Sequence, residues 1–289
     1  MRGGAGRGDH GMTGVPSRSV EVRVINLARA QARRDLMQAQ FDRLGIAARF
    51  QDAVDGSLPG NAARLAALPD TGPWGAVHWH AKGCTLSHFD ALRDFLAGGA
   101  THAVILEDDV FLSDDLPGWL SDLGWWPQDA DLVKLERWRD DRLYLVLAKA
   151  ARAHAGRLLP RLWSRHSGTG GYMVTRAAAQ AILSVDRPAM PIDHLLFNVN
   201  ISPLARRLRT YQVVPALVVQ GNDPVTAAPQ TLPTPTKRPL SQELRRAWHE
   251  IKVAPGQLAL VLSGRARLAR IGWQNQLAIA ATTPSPLKD

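Results

Sequence analysis

A chain of 289 residues that is 45% hydrophobic and 21% charged can bury a sizeable core, which excludes a disordered chain and allows one large domain or two small ones. Its single cysteine, Cys84, excludes an intramolecular disulfide framework and a cysteine-based zinc site, and points to a reducing compartment, most simply the cytoplasm. The formal charge is +9, and residues 236–289 hold nine Lys and Arg against three acids, an excess of six in under a fifth of the chain.

Residues 1–19 are rich in Gly and Arg and poor in apolar residues, so they are expected to be disordered. They lack the apolar segment of a secretory signal. Val22–Leu27 predicts a first strand, and Arg29–Leu44 a helix with Met37, Phe41 and Leu44 at helical spacing and Gly45 as its stop. Ala48–Val54 predicts a second strand, closed by the turn dipeptide Asp55-Gly56. Residues 58–79 read as a loop with one helical turn. Ser87 is placed as the cap of a helix running to Leu96. Ala103–Leu106 is a continuous apolar run that predicts a buried strand ending in Glu107-Asp108-Asp109. Further strands are expected at 131–135, 143–147 and 171–175, with 148–167 basic and irregular. Ala177–Leu183 predicts a short helix, and 211–219 the last strand material, interrupted by Pro215. Five prolines in 222–240 predict a linker. Two helical patterns, 242–251 and 257–270, follow it. Alternating strands and helices predict an α/β fold. No run of about 18 apolar residues is present, so no membrane-spanning helix is expected. Most of the nine Trp read as large core residues.

The acidic strand tip is the strongest chemical signal. Three carboxylates repel one another, and a divalent cation bridging to a phosphate would offset that repulsion. Open α/β sheets bind ligands at such strand ends. A solvated acidic turn is the plain alternative. Asn26-Leu27 followed by Arg29, Arg33 and Arg34 suits a diphosphate, which arginine can hold in bidentate fashion. Gly83-Cys84-Thr85-Leu86-Ser87-His88 suggests a backbone turn with free N–H groups that favour anions. Ser87 lacks the Gly-x-Ser-x-Gly surroundings of a nucleophile. Ser167-Gly168-Thr169-Gly170-Gly171-Tyr172 is neither a P-loop nor a dinucleotide fingerprint. It reads as flexible backbone beside a sugar or phosphate, or as a tight turn into a strand. In Pro191-Ile192-Asp193-His194, an acid among apolar neighbours suits a general base, or else a helix cap.

These segments in this order resemble glycosyltransferase family 25, the lipopolysaccharide and collagen galactosyltransferase-like family. The resemblance rests on Val24-Ile25-Asn26-Leu27 with Arg33-Arg34, on Phe50 to Gly56, on Gly83 to His88, on Ile105 to Asp109, on Gly171-Tyr172 and on Pro191 to His194. It covers residues 20–222. It implies a GT-A-like nucleotide-diphospho-sugar transferase fold, a UDP-sugar donor, usually UDP-galactose, and transfer with inversion to a saccharide acceptor of lipopolysaccharide or a related envelope glycan. It also implies a divalent metal, typically Mn²⁺, held by Asp109 with Glu107. The donor-binding set expected on this basis is Asn26, Leu27, Arg29, Arg33, Asp55, Gly83, Ser87, Glu107, Asp108, Gly171 and Tyr172. Asp193 is the expected base, with His194 and His88 as rivals. The family often carries Glu shortly before the Gly-Cys pair, where this chain has Lys82. A metal-dependent phosphoryl or nucleotidyl hydrolase and a non-catalytic binding protein of the same fold are the alternatives.

The expected organisation is a disordered segment 1–19, a GT-A-like domain 20–222, a Pro-rich linker 223–240, and a basic, mostly helical extension 241–289. No helix-turn-helix, zinc-finger or RNA-recognition pattern accompanies the basic extension, so nucleic acid is not the expected partner. Anionic membrane, at the inner membrane face, or an anionic glycan is.

Overall fold

Apolar strand runs alternating with amphipathic helices build an α/β chain, seen in a computed structural model that describes residues 19–137, 144–220, 240–276 and 287–288. The first half comprises β1 (Val20–Asn26), α1 (Gln31–Leu44), β2 (Ala48–Asp52), α2 (Ala62–Ala66), β3 (Thr71–Gly72), β4 (Gly75–Ala76), α3 (Trp79–Ala97), β5 (His102–Glu107), β6 (Val110–Leu112) and α4 (Leu116–Ser121). The middle comprises β7 (Leu132–Lys134), β8 (Glu136–Arg137), β9 (Leu145–His154), β10 (Arg157–Leu162), β11 (Gly171–Thr175) and α5 (Arg176–Leu183). Then come α6 (Ile192–Phe197), α7 (Pro203–Arg207), β12 (Thr210–Gln212), β13 (Val218–Gln220), α8 (Leu240–Leu262), β14 (Ala266–Ile271) and β15 (Leu287–Lys288).

Ten strands form one sheet in the order β15-β14-β9-β10-β12-β7-β11-β5-β1-β2. β2, β1 and β5 run parallel, with Val24 opposite both Phe50 and Leu106. β11 enters antiparallel between β5 and β7. Alternation along β1 and β5 fills two cores. Val22, Val24, Val104 and Leu106 pack with Met37 and Phe41 of α1. Ile25, Ala103 and Ile105 pack on the other face with Phe89, Leu92 and Phe95 of α3. A sheet covered on both faces explains why the β5 run is apolar without alternation. A second sheet, β6-β13-β8, stands behind the acidic tip. Gly45 ends α1 in the left-handed conformation, φ 64°, as its position predicts.

Several boundaries differ from expectation. α3 begins at Trp79, so Ser87 is interior and caps nothing. Its Oγ donates to the Gly83 carbonyl at 2.7 Å and accepts from the Val54 N–H at 2.8 Å. Gly83 is likewise helical, which removes the expected anion-binding turn at 83–88. Its role is close approach: a Cβ there would lie 2.8 Å from the Val54 carbonyl oxygen. Gly83→Ala should therefore cost about 1–3 kcal/mol of stability in denaturant titration, because a backbone atom must yield. A variant as stable as the parent would remove that account.

The basic stretch 148–167 is a hairpin, β9 and β10, rather than irregular chain. β9 is long and half-exposed, so its outer residues are Lys149 and Arg152 and the alternation is masked. Arg157 at the hairpin is fully buried and donates to the carbonyls of Pro215 and Ala216 at 3.0 and 2.9 Å. The two C-terminal helical patterns resolve into one helix, α8, with Pro255 inside it, and a strand, β14, that pairs antiparallel with β9. Strand material thus continues past residue 219. Trp119, Trp125 and Trp126 are buried core residues, as expected, whereas Trp79 and Trp248 are exposed. The expected disordered segment lies, but for Ser19, outside the described residues, as does most of the Pro-rich linker. No helix among the described residues is long and apolar enough to cross a membrane.

Candidate active site

β5 delivers Glu107 to the sheet edge, and the chain turns through Asp108 and Asp109 before β6. Strand parity persists through this turn. Glu107 and Asp109 converge on one amide: Gln220 Nε2 donates to Glu107 Oε2 at 3.0 Å and to Asp109 Oδ1 at 2.9 Å. Asp108 turns the other way, toward β1. It accepts from Asn26 Nδ2 at 2.7 Å and from Arg33 at 3.1 Å. Asn26, at the end of β1, is thereby a support for Asp108 rather than a wall of the site. Its Oδ1 is buried without a partner.

Behind Glu107 stands a buried relay. Thr169 Oγ1 donates to Glu107 Oε1 at 2.6 Å. His88 Nε2 lies 3.4 Å from the same oxygen, and His88 Nδ1 lies 3.0 Å from the Tyr172 hydroxyl. Both ring nitrogens of His88 are engaged, and its side chain is fully buried. Burial alone would raise the Glu107 carboxyl. Its hydrogen bonds to His88 and Thr169 and the charges of His88 and Lys134 hold it below the usual carboxylate range. Cys84, His88 and Glu107 bring one ligand-type atom each within 4.8 Å of one another. Burial first, then the charges of Glu107, Asp193 and Asp109, push the Cys84 thiol well up, so it is held as a neutral thiol.

A cleft of about 240 Å³ opens in front of the acids. Leu27, Arg29, Arg33, Asp55, Ser87, His88, Glu107, Asp108 and Asp109 all line it, together with Gly56, Trp79 and His80. Arg29 pairs with Asp55, which also anchors the Ser57 N–H at 2.9 Å and hydroxyl at 2.6 Å. The Arg29 and Arg33 side chains are about half exposed, at 59% and 48%, so both can turn toward a ligand.

Other expected residues stand elsewhere. Tyr172 is fully buried and touches the site only through His88. Gly171 is a packing glycine: a Cβ would lie 2.9 Å from Val218, and its N–H donates to Glu136 at 2.8 Å. Asp193 and His194 lie on α6 and do not line the cleft. Asp193 Oδ2 accepts from the Gly168 N–H at 3.3 Å, and Oδ1 accepts from the His194 N–H at 2.8 Å. Asp193 is therefore not a helix cap; Pro191 occupies that position. It is joined to the acid cluster through the 167–170 loop, whose Thr169 holds Glu107. His194 Nδ1 pairs with Asn198 at 2.9 Å. Burial, with the charges of Arg165 and Arg246, lowers its pKa despite Asp193, so the ring is neutral at pH 7. Lys82, where the family often has Glu, is buried and ties α3 to the end of α2. It donates to the carbonyls of Leu65 and Leu68 at 3.2 and 2.7 Å and to Asp70 at 2.6 Å.

Four residues of the site escape sequence reasoning. Gln220 has no motif around it and reaches the acids only because β13 pairs with β6. Thr169 sits in a segment singled out for its glycines. Lys134 and Glu136 look like strand surface charges, yet both side chains are fully buried, 3.5 Å apart. Burial pushes the Lys134 ammonium down and the Glu136 carboxyl up to about 7. Folded Glu136 thus holds its proton above the value of 4.5 expected when unfolded. Its contribution to stability is fully present below pH 4.5 and is lost as pH rises through 7. Wild type should lose on the order of 3 kcal/mol relative to Glu136→Gln between these limits. Parallel denaturation midpoints of the two proteins across that window would refute it.

Convergent carboxylates at a strand tip, with the ion-paired Arg29 and Arg33 lining the same cleft, give this α/β protein a charged pocket where open α/β sheets bind ligands. The family model described as glycosyltransferase family 25 (LPS biosynthesis protein) matches residues 20–196, and the chain belongs to that family. Over 185 residues it is 29% identical to the lacto-N-neotetraose biosynthesis glycosyltransferase LgtB of Neisseria meningitidis serogroup B. That match covers 61% of this chain and 66% of LgtB, so the chain spans just under two thirds of that relative's length. Over 132 residues it is 32% identical to the human inactive glycosyltransferase 25 family member 3, covering 43% of this chain and 21% of that protein. Among solved structures, a glycosyltransferase involved in the glycosylation of the major capsid of PBCV-1 aligns with 81% of this chain and 99% of its own, at 10% identity and a TM-score of 0.38. At that score the likeness adds nothing to the family assignment.

Proposed function

We propose that this chain is a GT-A-like glycosyltransferase that moves a hexose, galactose, from a UDP-sugar to a saccharide acceptor of lipopolysaccharide or a related envelope glycan, with inversion. The observation that carries it is the convergence of Glu107 and Asp109 on Gln220 inside a cleft rimmed by Arg29 and Arg33. The family and the name of LgtB supply the substrate class.

The donor set fits a hard divalent cation. Glu107 is held ionised, Asp109 stands beside it, and Gln220 Oε1 is buried with no hydrogen-bond partner. Mn²⁺ is the expected ion, and Glu107 and Asp109 would hold it. When bound it supplies positive charge against the departing diphosphate. Arg29 and Arg33, which line the same cleft, would add positive charge there. Asn26 fixes Asp108, and Asp108 in turn aims Arg33. His88 and Thr169 keep Glu107 from taking up a proton. Asp193, outside the cleft wall but tied to Glu107 through the 167–170 loop, is the proposed base: its carboxylate would take the proton of the acceptor hydroxyl as that oxygen attacks the anomeric carbon. The new bond forms on the face opposite the breaking bond to UDP, which inverts the centre.

Incubation with a panel of nucleotide sugars and Mn²⁺, with and without saccharide acceptors, tests this. UDP should be released from UDP-galactose, faster with acceptor, and the product should carry the inverted anomeric configuration by NMR. Equal donor cleavage without acceptor supports the hydrolase reading instead. Tight UDP binding with no turnover on any acceptor supports the non-catalytic reading, which the likeness to an inactive human relative keeps in view.

A further inference from the structure

Helix α8 is docked with its polar face inward. Leu240, Leu244, Trp248, Ile251, Leu258 and Leu262 fall on one face of the helix at steps of three, four and seven. All six are between 57% and 78% exposed. The half-buried face that meets the rest of the protein is mostly polar, with Gln242, Arg246, His249, Glu250 and Gln257 beside the smaller apolar set Val253, Leu260 and Val261. Arg246 lies over the Trp74 ring at 4.4 Å. Glu250 accepts from Asn200 at 2.6 Å and pairs with Arg165 at 3.0 Å. Gln257 donates to the Trp163 carbonyl at 3.0 Å. A surface helix in water does the reverse, burying its apolar stripe and solvating the polar one. Six large apolar side chains along roughly 33 Å of helix exceed what a soluble monomer leaves bare.

The surrounding charge says what covers the stripe. Arg245 and Lys252 border it on the same side, each one residue beyond a stripe residue, and both are exposed. Lys252 also lines a cleft of about 570 Å³ whose other charged walls are Arg161 and Arg206, with no carboxylate among its lining residues. Trp248, mid-stripe, has the side chain that settles at head-group depth. A second copy laid on the same face would oppose these cations to themselves, which is costly. An anionic surface meets them with opposite charge.

We infer that α8 lies flat in the interface of a bilayer containing anionic lipid, its apolar stripe in the acyl boundary and Arg245, Lys252 and the Arg161–Arg206 cleft on the lipid phosphates. The geometry is that of an interfacial amphipathic helix. Binding of this kind needs neither donor nor acceptor, so it stands apart from the reaction proposed above.

The full chain, centrifuged with phosphatidylcholine vesicles with and without phosphatidylglycerol, tests it. Wild type should pellet only with the anionic vesicles and be released by high salt. Leu244→Glu with Ile251→Glu should lower the partition coefficient by at least about tenfold through lost apolar burial. Arg245→Glu with Lys252→Glu should lower it by about tenfold or more through charge alone. Both variants should keep the wild-type thermal midpoint, because none of these side chains packs inward. Failure of wild type to pellet with anionic vesicles overturns the inference, as does equal pelleting of wild type and both variants. A lipid-free dimer in sedimentation equilibrium that the Leu244/Ile251 variant converts to monomer also overturns it, making the stripe a face between copies.

Discussion

Asp109→Ala is expected to lower turnover with a UDP-sugar by roughly 10²–10³-fold, the usual loss when one preorganised electrostatic group leaves an active site. Metal-dependent UDP binding should fall with it. The reason lies in how the three acids divide their work. Asp108 is committed to Asn26 and Arg33, and Glu107 already serves Thr169 and His88. Asp109 shares the Gln220 amide with Glu107 and faces the cleft. Asp108→Ala should behave differently. It strips the buried Asn26 Nδ2 of its 2.7 Å acceptor and leaves it only the longer 3.3 Å contact with the Ala30 carbonyl, so its cost should appear as about 1–3 kcal/mol of lost stability. Calorimetry with Mn²⁺ and UDP, beside thermal melts of both variants, separates the two roles. Unchanged Mn²⁺–UDP affinity in Asp109→Ala would take this residue out of the metal site.

Asp193→Asn should cut turnover by roughly 10²–10⁴-fold, the range for loss of a general base, with KM for the donor little changed. The swap keeps the size of the side chain and one acceptor oxygen, so the contact with the Gly168 or the His194 N–H survives. What is lost is the capacity to take a proton. His194→Gln should leave turnover within several-fold, since the His194 ring is already paired with Asn198. A mutant Asp193→Asn with full turnover would leave Asp193 as an anchor for the 167–170 loop. A mutant that loses donor affinity would move it to the donor side.

The acidic tip and its cleft were legible because their residues lie at strand ends and turn boundaries, where local pattern and function coincide. Ala103–Leu106 has no polar residue to confuse its period, and the alternation from Glu107 through Asp109 carries over into side-chain direction. The start of α3 was not legible. Trp79 to Lys82 shows no clear period, and Gly83 reads as a boundary when it is a contact with Val54. Arg265–Ile271 fits either a helix or a strand, and only pairing with β9 decides it. Gln220 and Glu136 belong to the site through long-range pairing alone, which leaves no mark on neighbouring residues. Lys134 misleads for a physical reason: a buried ammonium beside a buried carboxyl looks, in sequence, like two solvated charges.

The placement of β14 bears on how the protein is made. Strand β9 pairs with β10 on one side and with β14 on the other, and more than a hundred residues separate it from β14 in sequence. A ribosome delivers the hairpin long before the strand that covers it. Until Ala266–Ile271 emerges, β9 shows a bare row of backbone donors and acceptors, the template on which sheets add foreign strands. Pairing at such sequence distance is slow to form. The exposed cations Lys149 and Arg152 on β9 suit that waiting period, since charge on an open edge discourages self-association. A gene truncated before β14 would leave this interval without an end, and its product should collect in inclusion bodies even though the acidic tip and its cleft lie wholly within the part that remains.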